Sequence, residues 1–106
     1  MIYYIQAKDG GPIKIGYTRY SAESRLAAFQ IGCPVKLIIL ATHSGSSKRE
    51  KEIHGIFDLY RTHGEWFWYS SKLADYIEQN ATHFYWLPKD GDLTLEYLPS
   101  KQLVSP

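Results

Sequence analysis

Apolar and polar positions change their period along the chain. Ile2 to Ala7 is rich in Tyr and Ile, and Pro12 to Tyr17 is a second short β-like run. Lys8-Asp9-Gly10-Gly11 lies between them and supplies turn residues that tolerate positive φ, so the two runs predict a β-hairpin. The period then lengthens. Ser21 is placed to cap a helix reaching about Gln30, on which Ala22, Leu26 and Phe29 share one face before Gly32 stops it. Val35 to Ala41, entered through Pro34, predicts a buried strand. Ser44-Gly45-Ser46-Ser47 is short enough for a loop with a cap, and Ile53, Ile56, Phe57 and Tyr60 recur at helical spacing in a second helix from about Ser47 to Tyr60. His63-Gly64 breaks it. Glu65-Trp66-Phe67-Trp68-Tyr69 suits a short strand, and a third helix from Ser70 or Ser71 turns Leu73, Ala74, Tyr76 and Ile77 inward. Phe84 to Leu87 and Leu93 to Tyr97 flank Lys89-Asp90-Gly91-Asp92 and predict a terminal hairpin, with Lys101 to Pro106 frayed beyond it.

This order describes an α+β domain with a small antiparallel sheet. The 106 residues fit one domain of ordinary size, and 44% hydrophobic content is enough for one core. Aromatic residues reach 15%, and most of them are expected to complete that core. Twelve Lys and Arg against eleven Asp and Glu leave a net charge of +1, so strong autonomous binding to nucleic acid through a polybasic surface is excluded. Any such contact must come from local charge. The lone Cys33 is expected to be a small buried residue, and no Cys/His spacing suggests zinc. Neither a leader nor a membrane-spanning segment is visible, so the expected location is the cytoplasm, without membrane association.

Candidate chemistry begins in the first hairpin. Alternation sends Tyr3 and Ile5 to one face and Lys14 and Gly16 to one face; the two coincide when the register sum is odd. A turn centred on Asp9-Gly10 pairs Tyr3 with Gly16 and satisfies that condition. A phenol and an ammonium then share a face, where the cation would favour the phenolate; the plainer reading is a surface Tyr packed on a Lys stem. Arg25, one turn before Phe29, is either a fixed cation for an anionic substrate or a solvated helix side chain. Glu50 and His54 project on the same side of the second helix, beside Ile53 and Phe57. Either they bond within the core, or Glu50 binds a divalent cation while His54 contacts substrate or water. Glu65 reads as a loop-fixing ion pair or as a second carboxylate of the site.

Taken in order, Tyr3-Tyr4-Ile5, Lys14-Ile15-Gly16-Tyr17-Thr18, Ser24-Arg25-Leu26, Glu50-Lys51-Glu52-Ile53-His54 with Phe57, and Gly64-Glu65-Trp66-Phe67 resemble the GIY-YIG nuclease superfamily. The similarity is greatest to a phage and bacterial branch with K-I-G as second half-motif, an E-x-x-x-H helix and a G-E-W-F element. It spans roughly Met1 to Ile77. The resemblance implies a three-stranded antiparallel sheet flanked by helices, in a nuclease domain over residues 1–81; residues 82–106, a β-hairpin extension expected to pack on that domain, lie outside the resemblance. It also implies metal-dependent hydrolysis of nucleic-acid phosphodiesters to a 5′-phosphate and a 3′-hydroxyl. Tyr3 would take the place of the GIY tyrosine, Lys14 and Gly16 the first and last positions of YIG, Arg25 that of the helix arginine, Glu50 that of the metal ligand and His54 that of the branch's histidine.

Two positions depart from the pattern: Met1 stands for the GIY glycine, and Lys14 replaces a phenol by an amine. The mechanism implied is one-metal cleavage, with Glu50 holding Mg²⁺ or Mn²⁺, Tyr3 assisted by Lys14 activating water, and Arg25 stabilising charge at phosphorus. His54 is the second candidate base or a leaving-group acid. Gly16 and Tyr17 are assigned to substrate binding. The expected partner is nucleic acid, DNA ahead of RNA and single strands among the candidates, with a homodimer or a targeting partner supplying specificity. The alternative is a non-catalytic nucleic-acid-binding or interaction module on the same fold.

Overall fold

The computed structural model describes residues 1–88 and 95–97. The first hairpin forms as the alternation predicts: β1 (Ile2–Ala7) pairs antiparallel with β2 (Ile13–Tyr17), Tyr3 facing Gly16 and Ile5 facing Lys14. Gly10 and Gly11 make its loop at φ 101° and 105°, a region that side chains rarely enter. β3 (Leu37–His43) runs along the other side of β1, with a bulge between Tyr4 and Ile5. β4 (Arg61–His63), β5 (Trp66–Phe67) and β6 (His83–Phe84) complete a six-stranded antiparallel sheet in the order β4-β5-β2-β1-β3-β6. β7 (Trp86–Pro88) and β8 (Leu95–Tyr97) pair as a separate antiparallel ribbon. The expected turn at Lys89-Asp90-Gly91-Asp92 and the expected fraying of Lys101 to Pro106 lie outside the described residues.

Each of three α-helices starts at a serine whose hydroxyl accepts an otherwise orphaned backbone N–H. Ser21 caps α1 (Ala22–Gln30), Ser46 caps α2 (Ser47–Ile56) and Ser70 caps α3 (Ser71–Asn80), over 3.1–3.2 Å. The helices divide between the two faces of the sheet. Leu26 and Phe29 of α1 lie on Tyr3, Ile5, Leu37 and Ile39. Ile53 of α2, Phe57 just beyond it, and Leu73 and Ile77 of α3 close over Ile2, Tyr4, Ile13 and Ile15 on the opposite side. A central strand covered on both faces must be apolar at every position, which is why Ile2 to Ile5 is a continuous run. Each large side chain buried there contributes about 1.5–3 kcal/mol relative to exposure.

The sheet therefore has six strands where three were expected. Of the added strands, β5 falls within the Glu65 to Tyr69 segment read as a short strand, whereas β4 and β6 are three and two residues long, too short for an alternating pattern to register. α2 ends at Ile56, next to the poor helix former Gly55, and the chain continues through a 3-10 turn at Asp58–Tyr60. That early stop leaves Ile56 exposed although its spacing predicted burial. β3 begins two residues later than the apolar run suggested, and Val35 is exposed. Phe84 enters the main sheet through β6 instead of the terminal hairpin, and Cys33 is half-buried against the α1 face.

Candidate active site

The Tyr3–Gly16 register decides the floor of the site. Tyr3 folds its ring over the backbone of Gly16, and a Cβ built there would overlap Cζ and the hydroxyl of the phenol. A glycine is required because the two strands bring ring and backbone into contact. The Phe29 ring sits 6.3 Å from that of Tyr3, and Tyr3 is only 1% exposed.

Lys14 lies on the same face, as the odd register sum predicts. Its Nζ is 3.0 Å from Oε1 of Glu65 and stands 4.7 Å from the centre of the Phe29 ring and 5.5 Å from that of Trp66. The exposed Arg25 of α1 holds its guanidinium carbon 4.8 Å from the Phe29 centroid. One aromatic ring thus carries two cations, each attracted by its π-face.

Glu50 and His54 meet the outer edge of β2, where β5 has run out of backbone partners. The Ile15 N–H still donates to the Glu65 carbonyl at 3.0 Å. The Ile15 carbonyl instead accepts from Nε2 of His54 at 2.8 Å, and the Tyr17 N–H is directed to the Glu50 carboxylate. Because a carbonyl only accepts, Nε2 carries the proton. Two side chains four residues apart on α2 thereby continue a strand's hydrogen-bonding edge. His54, packed 5.1 Å from the Phe67 ring, bonds within the core, the first of its two sequence readings. Tyr17 enters through its main chain, and its side chain is half-buried.

Electrostatics tie these groups together. Burial and the neighbouring Glu65 push the Glu50 carboxyl up, opposed by His54, Lys14 and the Tyr17 N–H. Burial likewise pushes the Tyr3 phenol up; Arg25 beside it works in the opposite direction, while Glu65 and Glu50 reinforce the rise. Arg25 is the cation that favours the Tyr3 phenolate, while the Lys14 ammonium on the same face is paired with Glu65. Arg25, Glu50 and Glu65 thus act on the Tyr3 phenol, and Lys14, His54 and Glu65 on the Glu50 carboxyl, with Gly16 beneath the Tyr3 ring.

Among the described residues no group of three or more His, Cys, Asp or Glu could cage a metal ion. Glu50, 8% exposed and beside a second carboxylate, is nonetheless a group whose ionisation a divalent cation would relieve. One carboxylate suits a Mg²⁺-like ion that keeps waters and takes further oxygens from a phosphate.

The sequence shows the G-E-W-F element but not the walls it builds around Lys14, which depend on the β2–β5 register that sets Lys14 against Trp66. Nor does the sequence single out His43, on the face opposite the site. His43 donates from Nδ1 to the Ser44 carbonyl and accepts the Tyr4 hydroxyl at Nε2, both at 2.9 Å.

The described residues form a small α+β domain with an antiparallel sheet and three α-helices. The chain belongs to the T5orf172 domain family, which matches residues 1–80 and is a nuclease-like phage domain related to the GIY-YIG and HNH groups. No curated protein and no solved structure matches it significantly. Among the described residues, no helix is long and apolar enough to cross a membrane.

Proposed function

We propose that this chain is an endonuclease that hydrolyses nucleic-acid phosphodiesters, DNA ahead of RNA, with one divalent cation held at Glu50. What supports this reading is that Tyr3, Arg25, Lys14 and Glu50, from four separate segments, are linked electrostatically beside the paired strands β1 and β2. Mg²⁺ or Mn²⁺ would supply positive charge at the phosphate and the departing oxygen. Tyr3 orients the attacking water and accepts its proton, with Arg25 favouring the phenolate against the effect of burial. Arg25, exposed on α1, is suited to a phosphate oxygen in the charged transition state, and Lys14 to a second. Net charge of +1 gives weak binding along a nucleic acid, so targeting falls to a partner or a second copy.

The test is nicking of supercoiled DNA, single-stranded DNA and RNA in Mg²⁺ or Mn²⁺, with EDTA as control and Glu50→Gln as the matched variant. Cleavage that needs both the cation and Glu50 is expected. Absence of metal-dependent cleavage on all three substrates would overturn the reading and favour a non-catalytic nucleic-acid-binding module. That second reading draws support from the depth of Tyr3, which α1 covers almost completely.

A further inference from the structure

We propose that Glu65 is a positioning residue: its carboxylate, with the rings of Phe29 and Trp66, fixes the Lys14 ammonium beside the Tyr3–Arg25–Glu50 cluster and presents it to a phosphate oxygen. This rests on the nuclease reading and assigns Glu65 its part in it. A lysine head on a four-carbon stem samples many rotamers in solution, so a fixed ammonium needs walls. Here there are three. Phe29 comes from α1, Trp66 is the β5 residue directly opposite Lys14, and Glu65 reaches Nζ at 3.0 Å.

The backbone explains why Glu65 can do this. Its carbonyl accepts from the Ile15 N–H, which anchors it to β2 one position beyond Lys14. Gly64, at φ 57°, turns the chain just before it. β5 begins only at Trp66, so Glu65 is not bound by the alternation that would send it to the opposite face from Trp66.

Glu65 is 43% exposed while Lys14 is only 12% exposed, so the pair acts as a lid on an otherwise enclosed cation.

The experiment compares wild type, Glu65→Gln, Lys14→Met and the double variant. NMR relaxation of the Lys14 Cε methylene should show a rigid side chain in wild type and a mobile one in Glu65→Gln. Cleavage by Glu65→Gln should fall about tenfold, mainly through KM, and Glu65→Gln should add nothing in the Lys14→Met background. A Lys14 side chain equally rigid in Glu65→Gln would overturn the proposal, as would losses that multiply in the double variant. Weakened Mn²⁺ binding by Glu65→Gln with Lys14 still rigid would make Glu65 a cation ligand instead, and also overturns it. A wild-type chain that cuts nothing defeats the nuclease reading, whereas the relaxation data still decide whether Glu65 holds Lys14.

Discussion

The Tyr3 ring rests on Gly16 so closely that no side chain fits between them. Gly16→Ala must therefore lift the phenol or part the strands. We expect destabilisation of about 1–3 kcal/mol, the usual result of overpacking a filled site, and a larger loss of cleavage than that destabilisation explains. Thermal unfolding and nicking assays on Gly16→Ala and Tyr3→Phe separate the two effects, because Tyr3→Phe leaves the packing and removes only the hydroxyl.

Glu50 is a liability to the fold when ionised. Its folded-state pKa is raised, so its contribution to stability is present below the unfolded value and is lost as pH rises through the folded value. At neutral pH, Glu50→Gln should melt higher than wild type and be inactive. Adding Mg²⁺ or Mn²⁺ should raise the melting temperature of wild type and leave that of Glu50→Gln unchanged. A variant that melts lower would show that the bond from the Tyr17 N–H outweighs the burial.

The pH dependence of cleavage tests the Tyr3 role. With its pKa raised above the ordinary 10.0, the phenol is almost wholly protonated at neutral pH. If the phenolate accepts the proton from water, kcat/KM should rise about tenfold per pH unit across the mildly alkaline range. Arg25→Gln removes the group that opposes the rise, so the rate should fall without flattening that slope. A profile that is level above neutral pH would remove Tyr3 as the base.

His43 predicts acid sensitivity on the other face. Burial lowers its pKa, helped by Arg49 and the amino terminus and opposed by its bond to the Ser44 carbonyl. A depressed imidazole pKa supports the fold above the unfolded value of 6.5, and that support is lost as pH falls through the folded value. His43→Gln, which preserves an acceptor for the Tyr4 hydroxyl, should narrow the drop in melting temperature between neutral and acidic buffer.

Local chemistry made part of this molecule readable in advance. Gly10 and Gly11 specify the turn, the turn sets the register, and the register brings Tyr3, Lys14 and Gly16 to one face. Ser21 and Ser70 mark where their helices begin. What escaped depends on partners distant in the chain. No local pattern shows that β5 leaves the Ile15 carbonyl unpaired, and that vacancy is what draws in His54. Lys14 likewise looked available for Tyr3 until Glu65 and two rings were seen around it.

The substitution of α2 side chains for a missing strand bears on how descendants of this domain should be compared. A lineage that had stopped cutting would still need His54 to finish the edge of β2, so its persistence is poor testimony of catalysis. Arg25 stands outside that ladder on a solvent-facing helix, and abandonment of the chemistry would be written there first.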